Sequence, residues 1–119
     1  MAIVDDDAFI RAALARLVRS IGYEALLFDG AAPLLSYTAL DGLFCVLADL
    51  QMPRISGIEL IQILAIRHPA LPVVAMTAYP RDATRLRALE SGAAAYLTKP
   101  FDADLLENCL LGFSSHRNL

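Results

Sequence analysis

Four short apolar runs in this chain each break into a polar residue, and longer amphipathic stretches separate them. Ala2 to Val4 runs into Asp5, Leu43 to Leu47 runs on to Asp49, Val73 to Met76 ends at Thr77, and Ala94 to Leu97 leads to Lys99. A continuous apolar run of strand length suits a strand buried on both faces, as in a parallel sheet covered by helices. Between the runs, apolar residues recur at helical spacing. Phe9, Ala13, Leu14, Leu17, Val18 and Ile21 mark a first helix that Gly22 ends. Tyr23 to Phe28 supplies a further strand, closed by Asp29-Gly30, and Ala31 to Tyr37 a short helix with Pro33 near its start. Ser56 and Glu59 form a capping box for a helix that carries Ile58, Ile61, Leu64 and Ala65 on one side. Pro69 and Pro72 bracket the next loop, Asp82 caps a helix through Glu90 that Gly92 stops, and Asp102 caps a last helix through about Leu111.

Five strands and five helices in strict alternation imply one α/β domain over 1–119, with a parallel sheet covered on both faces and right-handed crossovers. At 119 residues there is room for one core. Hydrophobic residues are 57% of the chain and charged residues 19%, which fits elements buried on two sides. No apolar run is long enough to span a bilayer, and no signal-like segment follows Met1, so a cytoplasmic protein with no membrane partner is expected. The net charge of −3 argues against a DNA-gripping face within these residues. Cys45 and Cys109 lack local pairing or metal spacing and are expected as buried thiols in a reducing compartment. His68 and His116 lie far apart with no cysteine near them, which disfavours zinc.

In open α/β sheets, ligands bind beyond the carboxyl ends of the strands, and the polar residues of this chain fall there. Three carboxylates gathered at one sheet end repel unless a cation joins them. Asp5, Asp6 and Asp49 therefore predict a hard divalent cation, Mg²⁺ or Mn²⁺, open to a phosphoryl group. Asp49 would then act as the nucleophile. Lys99 would offer a point charge to one phosphoryl oxygen, and Thr77 a hydroxyl to another. Asp7 is expected only to favour the start of the first helix through the dipole.

The segments IVDDD (3–7), LADLQMPRISGIEL (47–60), VVAMTAYP (73–80) and AAYLTKPF (94–101) resemble the receiver domains of two-component response regulators, in that family's order and over nearly the whole chain. The style around Asp49 and Lys99 resembles receivers joined to helix-turn-helix output domains. The resemblance implies a flavodoxin-like three-layer sandwich with strand order 2-1-3-4-5. It implies phosphorylation of Asp49 by a sensor histidine kinase or phosphotransfer protein, in a signalling switch rather than an enzyme. Asp6 would ligate magnesium directly, Asp5 through water, and Gln51 through its main-chain carbonyl. Thr77 and Tyr96 would be the switch pair, Ala78 would leave the acceptor reachable, and the Lys99-Pro100 bond would be cis. Partners would include a second copy through helix four, strand five and helix five, on whose helices Leu86, Ala88, Leu105 and Leu106 lie. DNA would be met only through an output domain, which is not expected within residues 1–119. Arg81, Arg85 and Arg87 are expected on a solvated face.

The first strand is shorter than is usual in the family, which would loosen the metal site. Tyr79 and Gln51 stand two residues after Thr77 and Asp49, where the family tunes hydrolysis of the acyl phosphate, and a bulky Tyr79 would slow water. The alternative function is a stand-alone or degenerate receiver, an interaction module without phosphorylation; intact Asp5, Asp6, Asp49, Thr77 and Lys99 argue against it. An Asp-x-Asp phosphatase would match Asp5 and Asp7, but Phe9 stands where such enzymes carry Thr or Val, and no cap domain fits. A flavodoxin would need a hydroxyl-rich loop where Asp5-Asp6-Asp7 stands, and those charges would repel its phosphate.

Overall fold

The computed structural model describes the backbone of residues 1–117 and the side chains of residues 1–113. The elements alternate as the apolar runs require. They are β1 (Ala2–Val4), α1 (Ala8–Ser20), β2 (Leu26–Phe28), α2 (Ala31–Leu35), β3 (Val46–Asp49), α3 (Gly57–Arg67), β4 (Val73–Thr77), α4 (Asp82–Ser91), β5 (Ala95–Thr98) and α5 (Ala103–Arg117). A single 3-10 turn at Leu40–Gly42 precedes β3. The strands form one parallel sheet in the order β2-β1-β3-β4-β5, the expected flavodoxin-like order.

Two apolar layers cover the sheet because side chains alternate along each strand. Ala2, Val4, Val46, Ala48, Val73 and Ala75 point to the layer shared with α2, α3 and α4 residues such as Leu34, Ile61, Leu64 and Ala88. Ile3, Leu47, Val74, Met76 and Leu97 point to the opposite layer, with Leu14 and Val18 of α1 and Leu106 and Leu110 of α5. Short as it is, β1 is wholly buried and paired on both sides, to β2 and β3.

Local chemistry fixes most element ends. The Asp7 carboxylate accepts from the backbone N–H groups of Phe9 and Ile10, so it caps α1. Ser56 and Glu59 form the full capping box of α3. Asp102 accepts from Leu105 N–H at the start of α5, and Gly92, at φ 119°, ends α4 in the left-handed region.

Several expected boundaries are corrected. Strand β2 is half its expected length: Tyr23 does not pair but stacks on Phe44 with centroids 5.2 Å apart. Asp82 is the first helical residue of α4 rather than its cap, and Arg81 in the capping position makes no side-chain bond. Helix α5 continues past Leu111. Phe9, expected on the apolar face of α1, is 81% exposed. Cys45 is buried and Cys109 half-buried, with no disulfide between them. His68 pairs with Asp41 at 2.7 Å, while the His116 side chain lies outside the described residues. Among the described residues, no helix is long and apolar enough to cross a membrane.

Gly57 sets how closely α3 approaches the sheet. A Cβ there would stand 2.3 Å from the carbonyl oxygen of Asp49 and 2.6 Å from the Cα of Leu50. Backbone atoms cannot yield as a flexible side chain would, so Gly57→Ala is expected to destabilise by about 2 kcal/mol or more despite alanine's better helix propensity. Ser56→Ala, which removes only the cap, should cost about 1 kcal/mol. Urea midpoints of the two variants check the ranking.

Candidate functional site

The site lies at the carboxyl edge of the sheet, where β1, β3, β4 and β5 run out into loops. Asp5 follows β1 and is fully buried. Its backbone N–H donates to Phe28 O, its carbonyl oxygen accepts from Arg11 Nη1 at 2.7 Å, and its Oδ1 accepts from Asp7 N–H at 3.0 Å. Asp49 ends β3 and is 4% exposed, while Asp6 faces solvent. One carboxylate oxygen from each of Asp5, Asp6 and Asp49 can be chosen so that all three lie within 4.8 Å of one another. Residues from two separate strand ends thus converge on a space that a small cation could fill.

Lys99, from the loop after β5, reaches into the same space. Its Nζ lies 3.0 Å from Asp5 Oδ2 and 3.3 Å from Asp49 Oδ1. Burial would push the Lys99 ammonium down, but its hydrogen bond to Asp5 and the charges of Asp49 and Asp5 outweigh it, so the pKa is raised above 10.5. Asp49 is raised above 3.8: burial is the main cause, Asp5 adds repulsion, and Lys99 and the Gln51 N–H only partly offset them. The Asp49 carboxylate is therefore held at a cost that its neighbours do not fully offset.

Thr77, fully buried at the end of β4, donates its hydroxyl to Gln51 Oε1 at 2.8 Å and accepts from Tyr79 N–H at 3.0 Å. Gln51 in turn donates its backbone N–H to Asp49 Oδ1 at 3.2 Å. Ala78 is exposed and lines a groove with Lys99 and Pro100. The Lys99-Pro100 peptide is cis. Tyr96 on β5 packs on the α3/α4 layer, and its buried hydroxyl has no hydrogen-bond partner among the described residues. Tyr79 is 69% exposed.

Three contributors were not picked out from sequence. Gly57 permits the close approach at Asp49; its signal was a glycine immediately after the capping serine. Arg54 carries a φ of 66° in the loop between β3 and α3, a conformation that non-glycine residues rarely adopt. Arg11 holds the Asp5 carbonyl from one and a half helical turns away, and nothing in its spacing marks it.

The family model for the response regulator receiver domain matches residues 1–110. This chain belongs to that family. Receiver domains of this family are signalling phosphoacceptors. Among curated relatives of the receiver, the DNA-binding transcriptional regulator NtrC of Escherichia coli K12 is 37% identical over 102 residues, which cover 86% of this chain and 22% of that protein. The transcriptional regulatory protein FixJ of Bradyrhizobium diazoefficiens is 37% identical over 106 residues, covering 87% of this chain and 51% of that protein. The chain thus spans between about a fifth and a half of the length of these relatives. A response regulator receiver domain from Clostridium thermocellum superposes with a TM-score of 0.90 at 21% identity, covering 98% of this chain and 94% of that one, and so shares the receiver fold.

The raised pKa of Asp49 gives the domain a signed pH dependence. Both folded and unfolded carboxyls are protonated well below 3.8, where the group costs nothing; stability falls as pH rises through the raised folded value. Asp49→Asn should therefore melt higher than wild type at neutral pH in the absence of divalent cations. Its advantage should shrink toward acid pH, as thermal melts across a pH series will show.

Proposed function

We propose that Asp49 is the phosphoacceptor of a signalling switch, charged by a sensor histidine kinase or a phosphotransfer protein, and that this receiver is the regulatory domain of a transcriptional response regulator. The observation that carries the reading is the buried Asp49 carboxylate held between Lys99 and the Asp5-Asp6 pair. The ion pair from Lys99 and the hydrogen bond from Gln51 N–H both fall on Oδ1, so Oδ2 is the oxygen left to attack phosphorus. As the Oδ2–P bond forms, the bond from phosphorus to the donor's imidazole nitrogen breaks, and the imidazole keeps that electron pair.

Asp5, Asp6, Asp49 and the Gln51 main-chain carbonyl would hold Mg²⁺, or Mn²⁺. The fit rests on the donor set: hard oxygens, three carboxylates within reach of one ion, and an exposed side at Asp6 that leaves room for water and phosphate oxygens. Such an ion supplies neutralisation of charge on the transferring phosphoryl group. Lys99 keeps its proton and places its ammonium on a phosphoryl oxygen, and Thr77 offers its hydroxyl to another. Tyr96, whose buried hydroxyl has no partner among the described residues, would follow Thr77 as the second half of the switch. The output surface would be α4, β5 and α5, where Leu86 and Leu105 are exposed and Ala88 and Leu106 are not; a second copy of the domain would pair there after phosphorylation. Arg81 stands exposed at the capping position before α4, and Arg85 and Arg87 stand exposed on the helix.

Incubation with acetyl phosphate and Mg²⁺, followed by intact mass measurement, should add one phosphoryl group to wild type and none to Asp49→Asn. A wild-type chain that gains no mass would point instead to an interaction module that works without phosphorylation.

The proposed donor would dock on a surface of its own. A groove of about 470 Å³ beside Lys99 and Ala78 is lined by Phe9, Ile10, Leu14 and Phe101. Its apolar lining adjoins the acceptor pocket, so a protein donor pressed against it would bring its imidazole to Asp49. Phe9→Asp should slow transfer from a cognate kinase at least tenfold, on the order of 1.4 kcal/mol, while phosphorylation by acetyl phosphate stays near the wild-type rate.

A further inference from the structure

The Thr77 hydroxyl has one proton, and the structure shows where it goes. Thr77 Oγ1 donates to Gln51 Oε1 at 2.8 Å while accepting from Tyr79 N–H at 3.0 Å. Gln51 lies on the loop that leaves β3, and its backbone N–H donates to Asp49 Oδ1. The two polar strand ends are therefore tied to each other by a side chain that is otherwise exposed. A hydroxyl donor committed to an amide oxygen cannot at the same time donate to a phosphoryl oxygen on Asp49.

We propose that the Gln51 amide is a latch: it holds the Thr77 hydroxyl in the unphosphorylated geometry, and the domain must break this bond before Thr77 can serve the phosphoryl group. Gln51 is thus a positioning residue that acts through Thr77, by a route separate from its main-chain carbonyl. This inference rests on the reading of Asp49 as the phosphoacceptor. Chain geometry supports the assignment. Thr77 is fully buried, so it has few alternative partners. Leu50 N–H bonds to Met76 O and Lys99 N–H to Thr77 O, which hold the backbone on both sides of the hydroxyl in register. With the backbone fixed, the available motion is rotation of the Thr77 side chain, and rotation away from Gln51 also withdraws the acceptor from Tyr79 N–H.

The test is a double-mutant cycle read with beryllofluoride, a tetrahedral phosphoryl mimic, in the presence of Mg²⁺. Gln51→Met keeps the main-chain carbonyl and the side-chain length but removes the acceptor. It should bind the mimic about three- to tenfold more tightly than wild type, the equivalent of one lost net hydrogen bond. In a Thr77→Val background the same substitution should change affinity by less than about twofold, because no hydroxyl remains to be released. A merely structural role for Gln51 would shift both backgrounds alike, and that result overturns the latch; so does weaker binding by Gln51→Met alone. A second measurement needs no phosphoryl mimic. Amide exchange at Tyr79 in the unliganded domain should quicken in Gln51→Met, since an unlatched Thr77 leaves that N–H exposed to exchange. Unchanged exchange also overturns the proposal. Failure of wild type to bind the mimic at all would instead count against Asp49 as the acceptor, leaving the exchange result to decide the latch.

Discussion

Everything at the carboxyl edge of this sheet depends on one ammonium shared by two buried carboxylates. Lys99 Nζ stands 3.0 Å from Asp5 and 3.3 Å from Asp49, in a place where neither acid has enough water to carry its charge alone. Removing Lys99 would cost about 3–5 kcal/mol, because it leaves both buried carboxylates uncompensated. The arrangement is still incomplete. Asp5, Asp6 and Asp49 outnumber the single lysine, which leaves an excess of two negative charges when all are ionised. That excess is what a divalent cation would neutralise; in the protein alone the pKa of Asp49 is raised chiefly by burial, with repulsion from Asp5 adding to it. Lys99 has the opposite pH behaviour. On the lysine side the pair is fully present below 10.5 and is lost as pH rises through the raised folded value, so it remains intact across the neutral range.

Much of the fold was legible because two-sided burial leaves a mark on sequence. Strands β3 and β4, central and covered by helices, are wholly buried and appear as unbroken apolar runs. The edge strand was harder. Leu26 and Leu27 of β2 are 36% and 43% exposed, so burial does not separate the paired residues from the lead-in Tyr23-Glu24-Ala25. The run from Leu43 misled in the same way: Leu43 and Cys45 are buried before the strand begins at Val46, so burial marked the core and not the ladder. Caps were readable at Ser56 and Asp102, whereas Asp7, expected only to favour the dipole, bonds the start of α1 as its cap. At α4 the acidic residue sits one position inside the helix, where it favours the dipole without capping.

The site was legible for a different reason. Each key residue interrupts an apolar strand at its carboxyl end, and a parallel sheet collects those ends on one edge whatever the intervening helices do. Sequence order could therefore announce that Asp5, Asp49, Thr77 and Lys99 share an edge. It could not announce which atoms bond. The Gln51 amide meets Thr77 only because the loop after β3 turns back across the mouth of β4, and that path depends on Arg54 in the left-handed region and on Gly57 lying against the Asp49 backbone. Arg11 reaches the Asp5 carbonyl only once α1 has packed on the sheet.

The β3–α3 loop thus carries more of the site than its polar residues suggest. Burying a carboxylate and turning the chain through a strained residue are both unfavourable, the latter by about 1–3 kcal/mol for a left-handed non-glycine position. Both occur within the nine residues from Asp49 to Gly57, and the capping box at Ser56 and Glu59 anchors the far end. Under the proposed reading, charge arriving at Asp49 would act on a loop that already holds one unfavourable backbone conformation. The hydroxyl of Thr77 is tied to this same loop through the Gln51 amide, so in the proposed latch the loop and the end of β4 part at that one bond. Coupling the strand end of β4 to the state of Asp49 then requires no long chain of contacts. It requires only that a single hydrogen bond across adjacent strands be exchanged for another.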